Sequence, residues 1–268
     1  MTHLTKIQGD PRRVSKHTSG CCAFTLIEIL VSIAIIAVLL ALVIPIAART
    51  IGSARGFKCQ MSQRSSAYDF TVFADDVYHG DRGRDERRKT SFRLETFVAS
   101  QYCLEEFWCW PGETRREMPD ANASDPLRCP EVKGTVVLRS NSACDAQGVT
   151  PWPNVSYGFN MRLRYAERTA PGPGPAFVGV YMRSSILGES NVPLLWDVDG
   201  QVAMSQGHSP FYSAPSLGSP LLYANDQYWF PGKRHNGGLN VGFVDGHVEA
   251  TRAPLAQPSW RWDFTPDH

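Results

Sequence analysis

The sequence predicts an α+β fold in which one long N-terminal helix, half of it within a membrane, packs on a mainly antiparallel β-sheet. Three observations predict it. Residues 29–48 carry no charge and one weakly polar side chain, Ser32. Beyond that run, apolar side chains recur at rough helical spacing among basic ones as far as Ala74. The remainder breaks into short β-branched and aromatic segments divided by turn-forming residues, and it ends on the hairpin signal Asp245-Gly246.

The elements follow in chain order. Residues 1–22 are polar, with Lys6, Arg12, Arg13 and Lys16 against a single acid, Asp10. A basic segment ahead of an apolar run stays in the cytoplasm and sends the C-terminal bulk across the membrane. Twenty helical residues at about 1.5 Å each span roughly 30 Å, the thickness of a bilayer core. A secretory signal has a shorter apolar stretch followed by a small-residue cleavage site, which Ile46-Ala47-Ala48 matches poorly. A lipoprotein signal places its cysteine after the apolar stretch, whereas Cys21 and Cys22 precede it. A plain signal anchor leaves Glu28 unexplained. Pro45 kinks the helix without ending it. Ile51, Ala54, Phe57, Cys59, Met61, Tyr68 and Phe73 then recur among Arg49, Arg55, Lys58 and Arg64. They predict an amphipathic half covered on one face, weakened locally by Gly52 and Gly56.

In the C-terminal part, residues 79–89 (HGDRGRDERRK) read as an exposed loop, 92–110 as helical and 111–130 as turn-rich. Residues 133–139, 177–181 and 192–197 read as strands, the last buried, with a spacer at 170–175 and a long loop at 205–220. Residues 239–244 and 247–250 flank Asp245-Gly246, for which a type I′ turn with positive φ at both central residues is expected.

Ala23-Phe24-Thr25-Leu26-Ile27-Glu28 resembles the cleavage box of type IV prepilins and type II secretion pseudopilins. The resemblance implies cleavage after Ala23 by a prepilin peptidase and N-methylation of Phe24. Glu28 would be the fifth mature residue, pairing with a neighbouring subunit's free amine. Ala23 stands where the family usually has glycine, and Gly20-Cys21-Cys22 where it usually has a basic flank. The physics agrees with the implied role, because a carboxylate in hydrocarbon costs several kcal/mol unless it is paired. The other reading of Glu28 is a residue lying in the headgroup zone.

A second resemblance runs through the rest of the chain. His235, nine intervening residues and Asp245-Gly246 match an H-x9-DG element near the C-terminus of a large group of prepilin-like proteins. Arg128-Cys129-Pro130, Ser156-Tyr157-Gly158-Phe159-Asn160 and Leu195-Trp196-Asp197 match in the same order. The resemblance assigns these residues no reaction.

The chain has 268 residues and a net charge of +1, room for one domain and an anchor, with no reason to expect a nucleic-acid partner. Seven cysteines are present, and five remain after Phe24, an odd number. Cys103 with Cys109, and Cys129 with Cys144, lie close enough to close small loops, but the sequence does not decide the pairing. No CxxC follows the anchor, which argues against structural zinc. Asp197-Val198-Asp199-Gly200 looks like half a calcium loop, on which His235, Asp245 and His247 converge if their strands are adjacent, although histidine suits a hard cation poorly. The competing reading makes these residues turns, with no cofactor. No nucleophile elbow, phosphate-binding loop or dinucleotide fingerprint occurs, so an enzyme is not expected.

The expected organisation is a cytoplasmic leader (1–23), a transmembrane helix (24–48), its amphipathic extension (49–78) and an exported domain (79–268). The expected role is a structural pilin-like subunit in the inner membrane, with prepilin peptidase, other pilin-like subunits and the bilayer as partners. The alternative is an exported binding or enzymatic domain on a pilin-like anchor.

Overall fold

The structure, a computed structural model, describes residues 25–76, 91–102, 128–132, 137–138, 149–150, 152–168 and 177–266. The leader with Ala23 and Phe24, the segments 79–89 and 170–175, and Cys103, Cys109 and Cys144 lie outside the described residues.

Helix α1 runs unbroken from Leu26 to Ala74, through Pro45. Its start is set locally. The Glu28 carboxylate accepts the Thr25 backbone N–H at 2.8 Å, and the Thr25 hydroxyl accepts the Glu28 N–H at 3.3 Å. This reciprocal pair is a capping box, which satisfies two donors that a helix end otherwise leaves orphaned. The chain divides into two compact units, residues 1–49 and 50–268, and each is described by itself.

In the first unit the apolar side chains of α1 are exposed, and the helix is long and apolar enough to cross a membrane. Ser32 donates to the Glu28 carbonyl at 2.7 Å, so its hydroxyl needs no water.

In the second unit the covered stripe of α1 is Cys59, Gln63, Ser66, Ala67, Phe70, Phe73 and Ala74. This corrects the stripe expected from sequence. Ile51, Ala54, Phe57, Met61 and Tyr68 are exposed. The helix carries apolar side chains on more than one face, so periodicity alone offers two stripes and the sheet selects one. Phe70 and Phe73 pack against Phe92 and Phe97 with ring centroids 5.2–5.9 Å apart, mostly edge to face. Helix α2 (Leu94–Tyr102) contributes Phe97, and its Glu95 accepts from the buried Arg164 at 2.9 Å.

Strands β1 (Val137–Leu138) and β2 (Val149–Thr150) pair antiparallel, as do β4 (Tyr165–Glu167) and β5 (Phe177–Gly179). The central sheet uses β3 (Tyr157–Asn160), β6 (Pro193–Asp197), β7 (Tyr212–Ser213), β8 (Leu239–Phe243) and β9 (Val248–Thr251). Its order is β7-β3-β6-β8-β9, and every pairing is antiparallel except β3 with β7. The sheet is therefore mainly antiparallel, and the fold is α+β with a pilin-like architecture. The loop expected at 205–220 contains β7, which the Ser/Gly/Pro composition concealed.

All five residues of β6 are buried because both sheet faces are covered. On one face Leu195 lies by Gly242, itself against Ala67 of α1. On the other, Trp196 packs on Trp229 and Trp262 at 5.6 and 4.9 Å. Gly158 admits no side chain, since a Cβ there would sit 2.6 Å from Val198 Cγ1 and 2.7 Å from the Pro210 carbonyl.

The β8–β9 hairpin forms, but not with the expected turn. The Gly246 N–H donates to Phe243 O and the Phe243 N–H to His247 O. Only Gly246, at φ 94, is left-handed in this turn. This is a three-residue loop closed by a left-handed glycine, so the positive φ expected at Asp245 is absent. The two-residue turn sits one strand earlier. Asn236 and Gly237 have φ of 54 and 78, and His235 and Gly238 exchange backbone hydrogen bonds across them. The Asn-Gly pair carries the geometry that was assigned to Asp-Gly.

Candidate functional site

Two sites arise, one in each unit. The first is the start of α1. Glu28 is the only ionisable side chain of the helix before Arg49, and its carboxylate accepts both the N–H and the hydroxyl of Thr25, at 2.8 and 2.9 Å. The chain thus satisfies this carboxylate at the helix end with local donors, which an approaching cation can replace.

The second site is the corner around His235. The Asn236-Gly237 turn holds His235 just before β8, beside α1: a Cβ on Gly56 would sit 3.5 Å from His235 Nδ1. Cys59 of α1 forms a disulfide with Cys129, their Cα atoms 5.1 Å apart. The pairing of Cys129 with Cys144 is therefore corrected, because the covered stripe of α1 presents Cys59 to Cys129 across 70 residues of sequence. His235 Nε2 lies 3.6 Å from Cys129 Sγ and 3.4 Å from Asp197 Oδ2, and Nδ1 lies 3.4 Å from Glu131 Oε1.

Asp197 is the hub of this corner. It is fully buried, with Oδ1 held by Arg234 at 3.0 Å and Oδ2 accepting the Asn240 N–H at 2.7 Å. Arg234 also donates to the carbonyls of Val198 and Ser156, at 2.6 and 2.7 Å. One ion pair therefore joins the ends of β3 and β6 to the start of β8.

Burial pulls the His235 pKa down. The hydrogen bond to Asp197 and the charges of Asp197 and Glu131 outweigh that and the opposing Arg234, so the pKa is raised. A raised pKa means the folded chain binds the proton more tightly than the unfolded one. The stabilisation is complete below the unfolded value of about 6.5 and is lost as pH rises through the folded pKa. The urea midpoint should fall across that window, and His235→Gln should flatten the slope. Equal slopes for the two proteins would remove His235 as its source.

The two ends of the H-x9-DG element meet α1 at different places. His235 lies at Gly56, Gly242 at Ala67, and a Cβ on Gly246 would sit 3.4 Å from Thr71 Cγ2. Contacts thus advance along helix and strand together, and the element is the strip of sheet that lies along the helix. Asp245 accepts from the His247 N–H at 3.2 Å, and it lines an open groove with Met61, Arg64, Ser65 and Tyr68.

The three candidate calcium ligands do not converge. Asp199 caps helix α3 (Gly200–Ser205) by accepting the N–H groups of Gln201 and Val202. Asp197 is committed to Arg234 and Asn240, and Asp245 to its own turn. Among the described residues, the group of three metal-type donors drawn together is Cys59, Cys129 and His235. Sequence reasoning brought His235 toward Asp197 but missed this grouping with the two cysteines, along with Glu131 and Arg234. Its one signal was that Cys129 and His235 both lie in matched motif pieces.

The apolar N-terminal helix, with its single capped acid, is long and apolar enough to cross a membrane. Residues 18–44 match the prokaryotic N-terminal methylation motif, consistent with a type IV prepilin-like protein. The motif marks prepilin-type proteins of type IV pilus and secretion systems, and it implies processing by a prepilin peptidase and pilin-like assembly in general. No curated protein and no solved structure matches the chain.

Proposed function

We propose that the chain is a structural subunit of a pilus-like or pseudopilus-like filament, with no catalytic role of its own. Cleavage after Ala23 frees the Phe24 amine, which is methylated, and Glu28 pairs with that amine on a neighbouring subunit. The helix crosses the cytoplasmic membrane once and the sheet domain lies outside. The observation that carries this reading is the methylation motif at residues 18–44 ending in an apolar run whose one acid is Glu28. Support comes from the uncovered face of α1, where Phe57, Met61, Tyr68 and Val72 lie exposed on one side at helical spacing. Apolar side chains left in water on one face fit a helix that packs against other subunits.

The test separates charge from capping. Glutamine at the third helical position still completes a capping box, whereas it cannot pair with an ammonium as an anion. Glu28→Gln should therefore insert in the membrane as the wild type does and yet fail to enter sheared filaments. Normal incorporation of Glu28→Gln would end the ion-pair reading. Intact mass of the membrane-borne protein supplies the companion result, a chain beginning at N-methylated Phe24.

A further inference from the structure

We propose that the dithiol form of the domain binds one divalent cation of the zinc class through Cys59, Cys129 and His235. Cys59 Sγ, Cys129 Sγ and a His235 ring nitrogen all lie within 4.8 Å of one another. Tetrahedral zinc with Zn–S of about 2.3 Å and Zn–N or Zn–O of about 2.0 Å sets ligand atoms roughly 3.3 to 3.8 Å apart. Of the edges among these three donors, the one from His235 Nε2 to Cys129 Sγ already has such a length, at 3.6 Å.

The surroundings also fit. A ligating histidine is commonly oriented by a carboxylate on its other ring nitrogen, and Glu131 Oε1 stands 3.4 Å from Nδ1. Asp197, gripped by Arg234 and the Asn240 N–H, stays outside the ligand set and stands 3.4 Å from Nε2. Both cysteines are fully buried, and the three protein ligands leave the fourth position of a tetrahedral ion to water. The donors come from α1, the segment 128–132 and the residue before the Asn-Gly turn, so no spacing rule reveals them.

The conversion balances. A dithiol reductant gives two electrons and two protons to the Cys59–Cys129 bond and leaves as its own disulfide. The cation then displaces both thiol protons as the sulfurs part to ligand distance. The corner thus has two closed states, a disulfide when oxidised and a metal clasp when reduced. Each ties α1 to the sheet domain at the same point.

The experiment uses the full chain in detergent, with the five other cysteines changed to serine so that no other thiol competes. The reduced protein is titrated anaerobically with Co2+ alone, then with Zn2+. One equivalent of Co2+ should bind with a thiolate-to-metal charge-transfer band and the intense visible bands of a tetrahedral site, and Zn2+ should displace it. Glu131→Gln, which leaves all three ligands in place, should weaken binding about tenfold, and His235→Gln should weaken it further. The same cation should raise the Tm of the reduced wild-type chain and leave the oxidised chain unchanged, a readout that does not depend on any variant folding. Absence of stoichiometric Co2+ uptake by the reduced chain would overturn the proposal. So would uptake unaffected by His235→Gln, or an equal Tm rise in the oxidised chain.

Discussion

Cys59→Ser should lower the unfolding free energy of the oxidised protein by about 4 kcal/mol, the loop-closure value for a bridge joining residues separated by 70 positions. For a unit of this size that is a fall in Tm of roughly 10 °C. The origin lies in the unfolded chain, which the bridge confines, as well as in the fully buried position of both sulfurs. Cys129→Ser should cost a similar amount. The double variant should cost hardly more than either single one, because each already removes the whole cross-link. Calorimetry of the four proteins checks this, and fully additive single effects would show that the sulfurs act by packing alone. Reduction of the wild type without metal should reproduce most of the loss.

Asp197→Ala should cost about 3–5 kcal/mol, the penalty for stranding the other half of a buried ion pair. The Arg234 side chain is 17% exposed and would keep its charge with its anion gone, and the Asn240 N–H would lose its acceptor within the sheet. Asp197→Asn should cost less, since an amide oxygen can still accept from Asn240. Pairing Asp197→Asn with Arg234→Met should recover part of the loss by removing the stranded cation. Urea melts of the three variants read this directly. A cost below about 1 kcal/mol for Asp197→Ala would mean that water reaches Arg234 and that the hub does not hold β3, β6 and β8 together.

The two results bear on different connections. The disulfide ties the covered half of α1 to the segment carrying Cys129, and the Asp197 hub ties strands to one another. His235 touches both, at 3.6 Å from the bridge and 3.4 Å from the hub. That position gives His235 a structural place between bridge and hub. The glycine at the foot of the H-x9-DG element is accounted for by the left-handed turn and by the close approach of Thr71.

What the sequence by itself determined was what depends on neighbours along the chain. The methylation motif, the apolar run with its single acid and the reach of α1 to Ala74 were legible because helical period and capping act over three or four residues. Burial of residues 193–197 and the existence of the last hairpin were legible for the same reason. The tertiary structure decided the rest. Periodicity could not choose which stripe of α1 the sheet covers, and that choice exposes Tyr68 and buries Cys59. Once Cys59 is turned inward, its partner is Cys129, a pairing that no spacing encodes. Two glycine turns were present in the text of the chain, but only strand register decides that Asn236-Gly237 takes the two-residue turn and Asp245-Gly246 the three-residue one. Asp197 looked like a cation ligand because oxygen donors on alternate residues are all that a sequence shows of a calcium loop. Arg234, 37 residues away, turns the same carboxylate into the buried anchor of the sheet. Short-range rules act through bonds that the sequence spells out, whereas long-range contacts exist only after the chain has closed on itself.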